Sequence, residues 1–227
     1  IYNVLTRIHE KYPTLPMMLC SGGGARMDYE VLKYFTEFWC SDDTDPYERL
    51  YIQWSLSKFF PTKTMGSHVT NWNRRASVKF RTDVCSSCKL GFDIDLKSLS
   101  ENDYKFVQQA VKNYNDLKPV ILEGDQYRLV SPYETDHCAI NYVSKDKQRA
   151  VLFAYDLHPR YKEPPMNVRL QGLDPMKVYM VRETNLMPGA KSHLECNGKQ
   201  YSGDYLMKIG LNVLTANEGS SRVLVLE

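Results

Sequence analysis

The sequence predicts an α/β unit built of parallel βα repeats, followed by an antiparallel β-sandwich. Short apolar runs alternate with helical patterns four times in the first half, joined by short links, which is the spacing of a parallel βα fold. From about Tyr127 onward, strand patterns follow one another, separated by turn residues such as Gly172-Leu173-Asp174-Pro175 and Asn217-Glu218-Gly219. The change of character falls near residues 118–126 and divides the chain into domains 1–122 and 123–227.

Val4, Leu5, Ile8 and Tyr12 recur at helical spacing, and Pro13 and Pro16 stop that helix. Residues 17–20 read as a buried parallel strand that Gly22-Gly23-Gly24 ends. A helix over 29–38, capped by Asp28, leads to a second strand over 38–40 that ends at Ser41-Asp42. Asp45-Pro46-Tyr47-Glu48 is the clearest helix start: a capping carboxylate, Pro at the first helical position and Glu in capping-box position. The helix that follows, 49–60, carries apolar groups on more than one face and should be largely buried. Residues 64–69 form the third strand candidate, 76–88 a helix and 90–96 the fourth strand. Ser100 to Asp103 cap a helix with a Tyr104, Val107, Val111, Tyr114 stripe, which Pro119 closes. The later strand candidates are 126–130, 138–143, 150–156, 166–170, 177–183, 205–213 and 222–226.

Composition narrows the function. Hydrophobic residues make up 43% and charged residues 25% of the 227 positions, as in ordinary globular proteins with a packed core. A net charge of only +2 argues against nucleic acid as a partner, because phosphate recognition needs a dense basic stripe. No apolar run of membrane-spanning length occurs, so no membrane partner is expected. No signal peptide is visible, and the chain opens on Ile1 like part of something longer, which leaves the compartment open between cytoplasm and periplasm. Cys85-Ser-Ser-Cys88 has metal or redox spacing, but no second such pair and no suitably spaced His accompanies it, so it reads as helix residues and no metal is expected.

Two motifs end predicted parallel strands, where barrel enzymes keep their active sites. They are Cys20-Ser-Gly-Gly-Gly-Ala-Arg-Met-Asp28 and Trp39-Cys-Ser-Asp-Asp-Thr-Asp-Pro46. Three consecutive glycines bare the backbone N–H groups so that a polar ligand can approach closely. The bend reads as a tight turn or as a ligand-facing loop; a phosphate cradle lacks the Gly-Lys-Ser/Thr ending of a P-loop. Asp42, Asp43 and Asp45 crowd one loop, which disfavours ionisation of all three together and suits one of them to proton donation. Asp45 reads as a helix cap; Asp42, at the strand end, is the candidate catalytic acid.

Taken together, C-S-G-G-G-x-R-x-D and W-x-S-D-D-T-D resemble glycoside hydrolase family 36, the α-galactosidases. Gly66-Ser-His-Val69, Gly91-Phe-Asp-Ile-Asp-Leu96 and Gly124-Asp-Gln-Tyr-Arg-Leu129 resemble later landmarks of that family in the right order. The resemblance implies a TIM (β/α)₈ barrel, of which this chain supplies the C-terminal half, strands five to eight, followed by a β-sandwich. It implies a retaining α-galactosidase that releases terminal α-linked galactose from oligosaccharides of the raffinose type, with no cofactor. Carried over by motif, Asp42 is the acid/base, Cys20, Gly22, Gly23 and Trp39 line the sugar, and Arg26 and Asp28 order the loop. A Cys-Ser-Gly-Gly loop leans toward galactose with a free 2-hydroxyl. The alternatives are a non-catalytic carbohydrate-binding module, or a relative with α-N-acetylgalactosaminidase or galactosyl-transfer activity.

The family's nucleophile sits in a Lys-Trp-Asp motif on the fourth barrel strand, and no such triplet occurs in this sequence. The expectation is therefore a portion that is inactive alone. Its uncovered edges and helix faces should drive homo-oligomerisation or association with the missing N-terminal part.

Overall fold

The computed structural model describes residues 1–73, 75–215 and 217–227. Two sheets organise it: a parallel four-stranded sheet in the order β1-β2-β3-β4, and an antiparallel six-stranded sheet in the order β5-β6-β7-β10-β8-β9.

The first sheet follows chain order. Helix α1 (Tyr2–Lys11) precedes β1 (Met18–Leu19), and β2 (Glu37–Trp39) lies parallel to it. Helix α2 (Pro46–Leu56) crosses to β3 (Met65–Thr70), α3 (Val78–Ser86) to β4 (Lys89–Asp93), and α4 (Glu101–Glu123) leaves the sheet. All four parallel strands fall where the apolar runs place them, and Asp45 caps α2 by accepting from the N–H groups of Tyr47 (2.9 Å) and Glu48 (3.4 Å).

Two expectations in this half need correction. Residues 29–38 do not form a helix: only Glu30–Lys33 make a 3₁₀ turn, which Asp28 caps through Val31 N–H at 3.0 Å. The chain must return to the sheet at once, since the Thr36 amide already bonds Met17 O at 2.9 Å and β2 begins at Glu37. Pro119 does not close α4, which runs on to Glu123. Proline forfeits one helical hydrogen bond, but the turn that follows buries Val120 and Ile121 in the core.

The second sheet comprises β5 (Asp125–Val130), β6 (His137–Val143), β7 (Ala150–Asp156), β8 (Val178–Thr184), β9 (Lys199–Ser202) and β10 (Ser220–Leu226). Strands β6 and β7 are buried along their whole length. Alternation explains it: Cys138, Ile140, Tyr142, Val151, Phe153 and Tyr155 pack on Leu50, Phe80, Val84, Tyr114 and Ile121 of the helices. The residues between them, Ala139, Leu152 and Ala154, face Val168, Leu170, Leu206, Leu211 and Val213. One core therefore joins the helices of the first half to the second sheet.

Two strand expectations fail here. Residues 166–170 form no strand and contribute only an isolated bridge, Val168 to Leu211. Within 205–213 the chain is instead helix α5 (Gly203–Lys208), ended by Gly210 at φ +83°. Ser202 caps α5 through Tyr205 N–H, and Leu206 reaches the core from one face of the turn. The layer on this side of the sheet is thus irregular chain plus α5.

Candidate active site at the ends of the parallel strands

The two loops singled out by sequence meet. Gly23 is buried at φ +76°, and a Cβ built on it would stand 3.0 Å from Ser41 Cα and 3.2 Å from Asp42 N. A side chain there is strained on both counts, steric and conformational. A Cβ built on Gly24 would stand 2.9 Å from the Cys40 carbonyl oxygen and 2.6 Å from the end of the Met27 side chain. Gly22, at φ +55°, is exposed, and a Cβ built on it would meet nothing within 4 Å. The glycines thus let the loop after β1 lie on the backbone that carries Asp42, with one glycine left open.

Asp42 is exposed and accepts a hydrogen bond from Trp39 Nε1 at 2.9 Å. The other two acids of the loop are occupied otherwise. Asp43 Oδ1 accepts from the Asp45 amide at 2.9 Å, while Asp45 caps α2 and takes Asn73 Nδ2 at 2.6 Å. Of the crowded carboxylates, Asp42 alone is held by a side chain of the strand.

Trp39 is partly buried and its ring is engaged: edge-on to His68 with centroids 4.7 Å apart, and with the Arg49 guanidinium 5.9 Å from its centre. Its N–H edge, which grips Asp42, is the part it brings to the site. His68, on β3, projects over Gly91 of β4, where a Cβ would come within 2.4 Å of the imidazole. Burial, more than any other influence, lowers the His68 pKa and so favours the neutral ring.

Cys20 follows β1 and is exposed. The two oxygens of Asp28 accept from Val31 N at 3.0 Å and from Tyr2 OH at 3.2 Å. Arg26 is exposed, and no hydrogen bond or ion pair of its side chain is seen among the described residues. Beside the α2 N-terminus opens a cleft of about 710 Å³, lined by Asp43, Asp45, Trp72, Arg75, His158 and Glu218. Trp72 is 66% exposed there, and His158 stacks on Tyr47 with centroids 5.6 Å apart. Among the described residues no three His, Cys, Asp or Glu side chains converge as a metal site.

Sequence reasoning passed over Arg49 and Trp72 and treated His68 only as part of a motif. A charged residue amid the apolar faces of α2 was the available signal for Arg49. Trp72 carried none, since its exposure depends on where its loop lies.

Parallel βα units that carry an acid at a strand C-terminus, continued into an antiparallel unit, match models of one class of protein. Residues 1–124 match the melibiase family and residues 137–226 the glycosyl hydrolase family 36 C-terminal domain, so the chain is of the glycoside hydrolase class. More particularly, it belongs to the melibiases of glycosyl hydrolase family 36. It is 30% identical, over its whole length, to the probable α-galactosidase G of Aspergillus terreus. It superposes along all of its length on the crystal structure of the α-galactosidase AgaB of Geobacillus stearothermophilus, at 31% identity and a TM-score of 0.88. A variant of AgaA from the same organism, in complex with stachyose, gives 31% identity and a TM-score of 0.89 over the whole chain. The chain spans about 30% of the length of each of these relatives.

Proposed function

We propose that this chain is the acid/base-bearing portion of a retaining α-galactosidase, and that Asp42 protonates the departing oxygen and then activates water. The carrying observation is the contact of the Gly23 bend with the Ser41–Asp42 backbone, together with the Trp39 hydrogen bond that fixes the Asp42 carboxyl. Residues 1–122 are read as strands five to eight of a (β/α)₈ barrel, because four parallel strands stand in chain order. Residues 123–227 are read as its β-sandwich, whose second layer holds the Val168–Leu211 bridge. Cys20, Gly22 and Gly23 form the sugar-facing side; Trp39 serves by orienting Asp42. The substrate class is an α-galactoside oligosaccharide, in keeping with the stachyose bound by the relative.

A retaining glycosidase needs two carboxylates, and no Lys-Trp-Asp occurs in this sequence. The portion therefore acts with a first half that supplies the nucleophile. Its surface supports this: α1 buries none of its residues, and Ile1, Tyr2, Val4, Tyr12, Leu15 and Met18 are exposed along it and β1. A monodisperse monomer of the isolated chain in sedimentation would count against that association.

The site is tested by Asp42→Asn in a polypeptide that supplies the first barrel half. Turnover of a galactoside with a poor leaving group should fall by about 10²–10⁴-fold, the usual contribution of general acid–base catalysis. An aryl galactoside that needs no protonation should lose much less in its glycosylation step. Unchanged turnover of the poor-leaving-group substrate would remove Asp42 from the role.

A further inference from the structure

Arg49 sits on α2 with 1% of its surface exposed. Its Nε donates to Gln53 Oε1 at 3.2 Å and its Nη2 to the Gly66 carbonyl of β3 at 2.8 Å. Gln53 is itself fixed, taking Ser67 Oγ at 2.7 Å and donating to Val84 O and Ser87 Oγ, both at 3.1 Å. No carboxylate joins this network; the Cys40 thiol lies beside the guanidinium, and Arg49 Nη1 has no hydrogen-bond partner among the described residues. A buried cation without a counter-ion is costly, and a protein keeps one only where something else compensates it.

The compensating group on the page is an aromatic face. The guanidinium carbon lies 5.9 Å from the centre of the Trp39 ring, and the negative quadrupole of the indole attracts it. The attraction polarises the ring in turn. Electron density drawn toward the cation leaves the indole N–H a stronger donor. That N–H is the group that holds Asp42 Oδ1 at 2.9 Å.

We propose that Arg49 is a positioning residue for Asp42: its charge, without a carboxylate partner and lodged against the Trp39 indole, fixes the ring and strengthens the Trp39 Nε1–H···Asp42 hydrogen bond. Its consequence for catalysis rests on the acid/base reading of Asp42; the link between the three residues does not.

The chain has three tryptophans, so the indole N–H region of its proton–nitrogen spectrum is simple to assign. Trp39→Phe deletes the reporter signal and Asp42→Asn moves it. Arg49→Met should shift that signal upfield, as a weakened donor does, and Arg49→Lys, which keeps a charge but loses the fork, should shift it less. A signal that stays in place in Arg49→Met overturns the proposal. If that variant fails to fold, Arg49→Lys decides, and no movement there overturns it. With the first barrel half supplied, Arg49→Lys should lower kcat on poor-leaving-group substrates about tenfold, a fraction of the full general-acid effect, and leave KM in place. A loss confined to KM overturns the positioning role. If Asp42→Asn keeps full turnover while Arg49→Met still moves the signal, the acid/base reading falls and the link stands. If Asp42→Asn loses turnover and the signal does not move, the reverse holds.

Discussion

Gly23→Ala and Gly22→Ala make neighbouring changes of equal size with unequal surroundings. Both residues have positive φ, +55° at Gly22 and +76° at Gly23, so alanine at either costs about 1–2 kcal/mol in backbone conformation. Only at Gly23 does the new methyl group meet anything: Ser41 Cα stands 3.0 Å away and Asp42 N 3.2 Å. Carbon atoms rest at about 3.5–4.0 Å, so the two loops must part by roughly half an ångström, an overpacking cost of about 1–3 kcal/mol. Gly22→Ala meets nothing within 4 Å. A chain of this length loses about 2–4 °C of Tm per kcal/mol. Thermal unfolding followed by circular dichroism should therefore place Gly23→Ala roughly 2–12 °C below Gly22→Ala. Equal midpoints would mean that the glycine bend does not rest on the Asp42 backbone, and the two-loop site would lose its foundation.

Three further outcomes follow from burial and charge. Of six cysteines only Cys20 is exposed, and burial raises the thiol pKa of Cys40, Cys85, Cys88, Cys138 and Cys196. A thiol reagent at neutral pH should count one fast group in the native chain and six after unfolding, and two fast groups would contradict the packing. His68 has its pKa lowered below 6.5 by burial, so its contribution to stability is complete above about pH 6.5 and is lost as pH falls toward the folded-state value. A nuclear magnetic resonance titration should find its midpoint below that of an exposed histidine, and a midpoint at or above 6.5 would refute the reading. Asp83 is fully buried, binds Lys79 Nζ, and accepts from Ser221 Oγ at 2.6 Å and Asn185 Nδ2 at 2.9 Å. Asp83→Ala leaves Lys79 without its carboxylate and should cost about 3–5 kcal/mol in denaturant unfolding, whereas a loss under about 1 kcal/mol would show that Asp83 does not tie α3 to Ser221 of β10.

Local chemistry accounts for what the sequence by itself determined. Asp45-Pro46 starts α2 because a cap and a proline act within four residues, and the four parallel strands read correctly because apolar runs of strand length between helices have few other uses. The loop motifs marked Asp42 and the glycines for the same reason, as residue types at strand ends, whereas Cys20 was marked through the family resemblance alone. The tertiary structure decided the rest. Pro119 breaks an isolated helix, yet burial of Val120 and Ile121 carries α4 past it. The apolar residues of 205–213 suit a strand or a helix equally, and α5 forms because Ser202 caps it and Leu206 finds the core from a helical turn. The 29–38 helix yields to a 3₁₀ turn because β2 must pair with β1. Likewise the approach of Gly23 to the Ser41–Asp42 backbone and the lodging of Arg49 against the indole join residues far apart in the chain. Such contacts are set by where the sheet puts its neighbours, and spacing along the chain does not encode that distance.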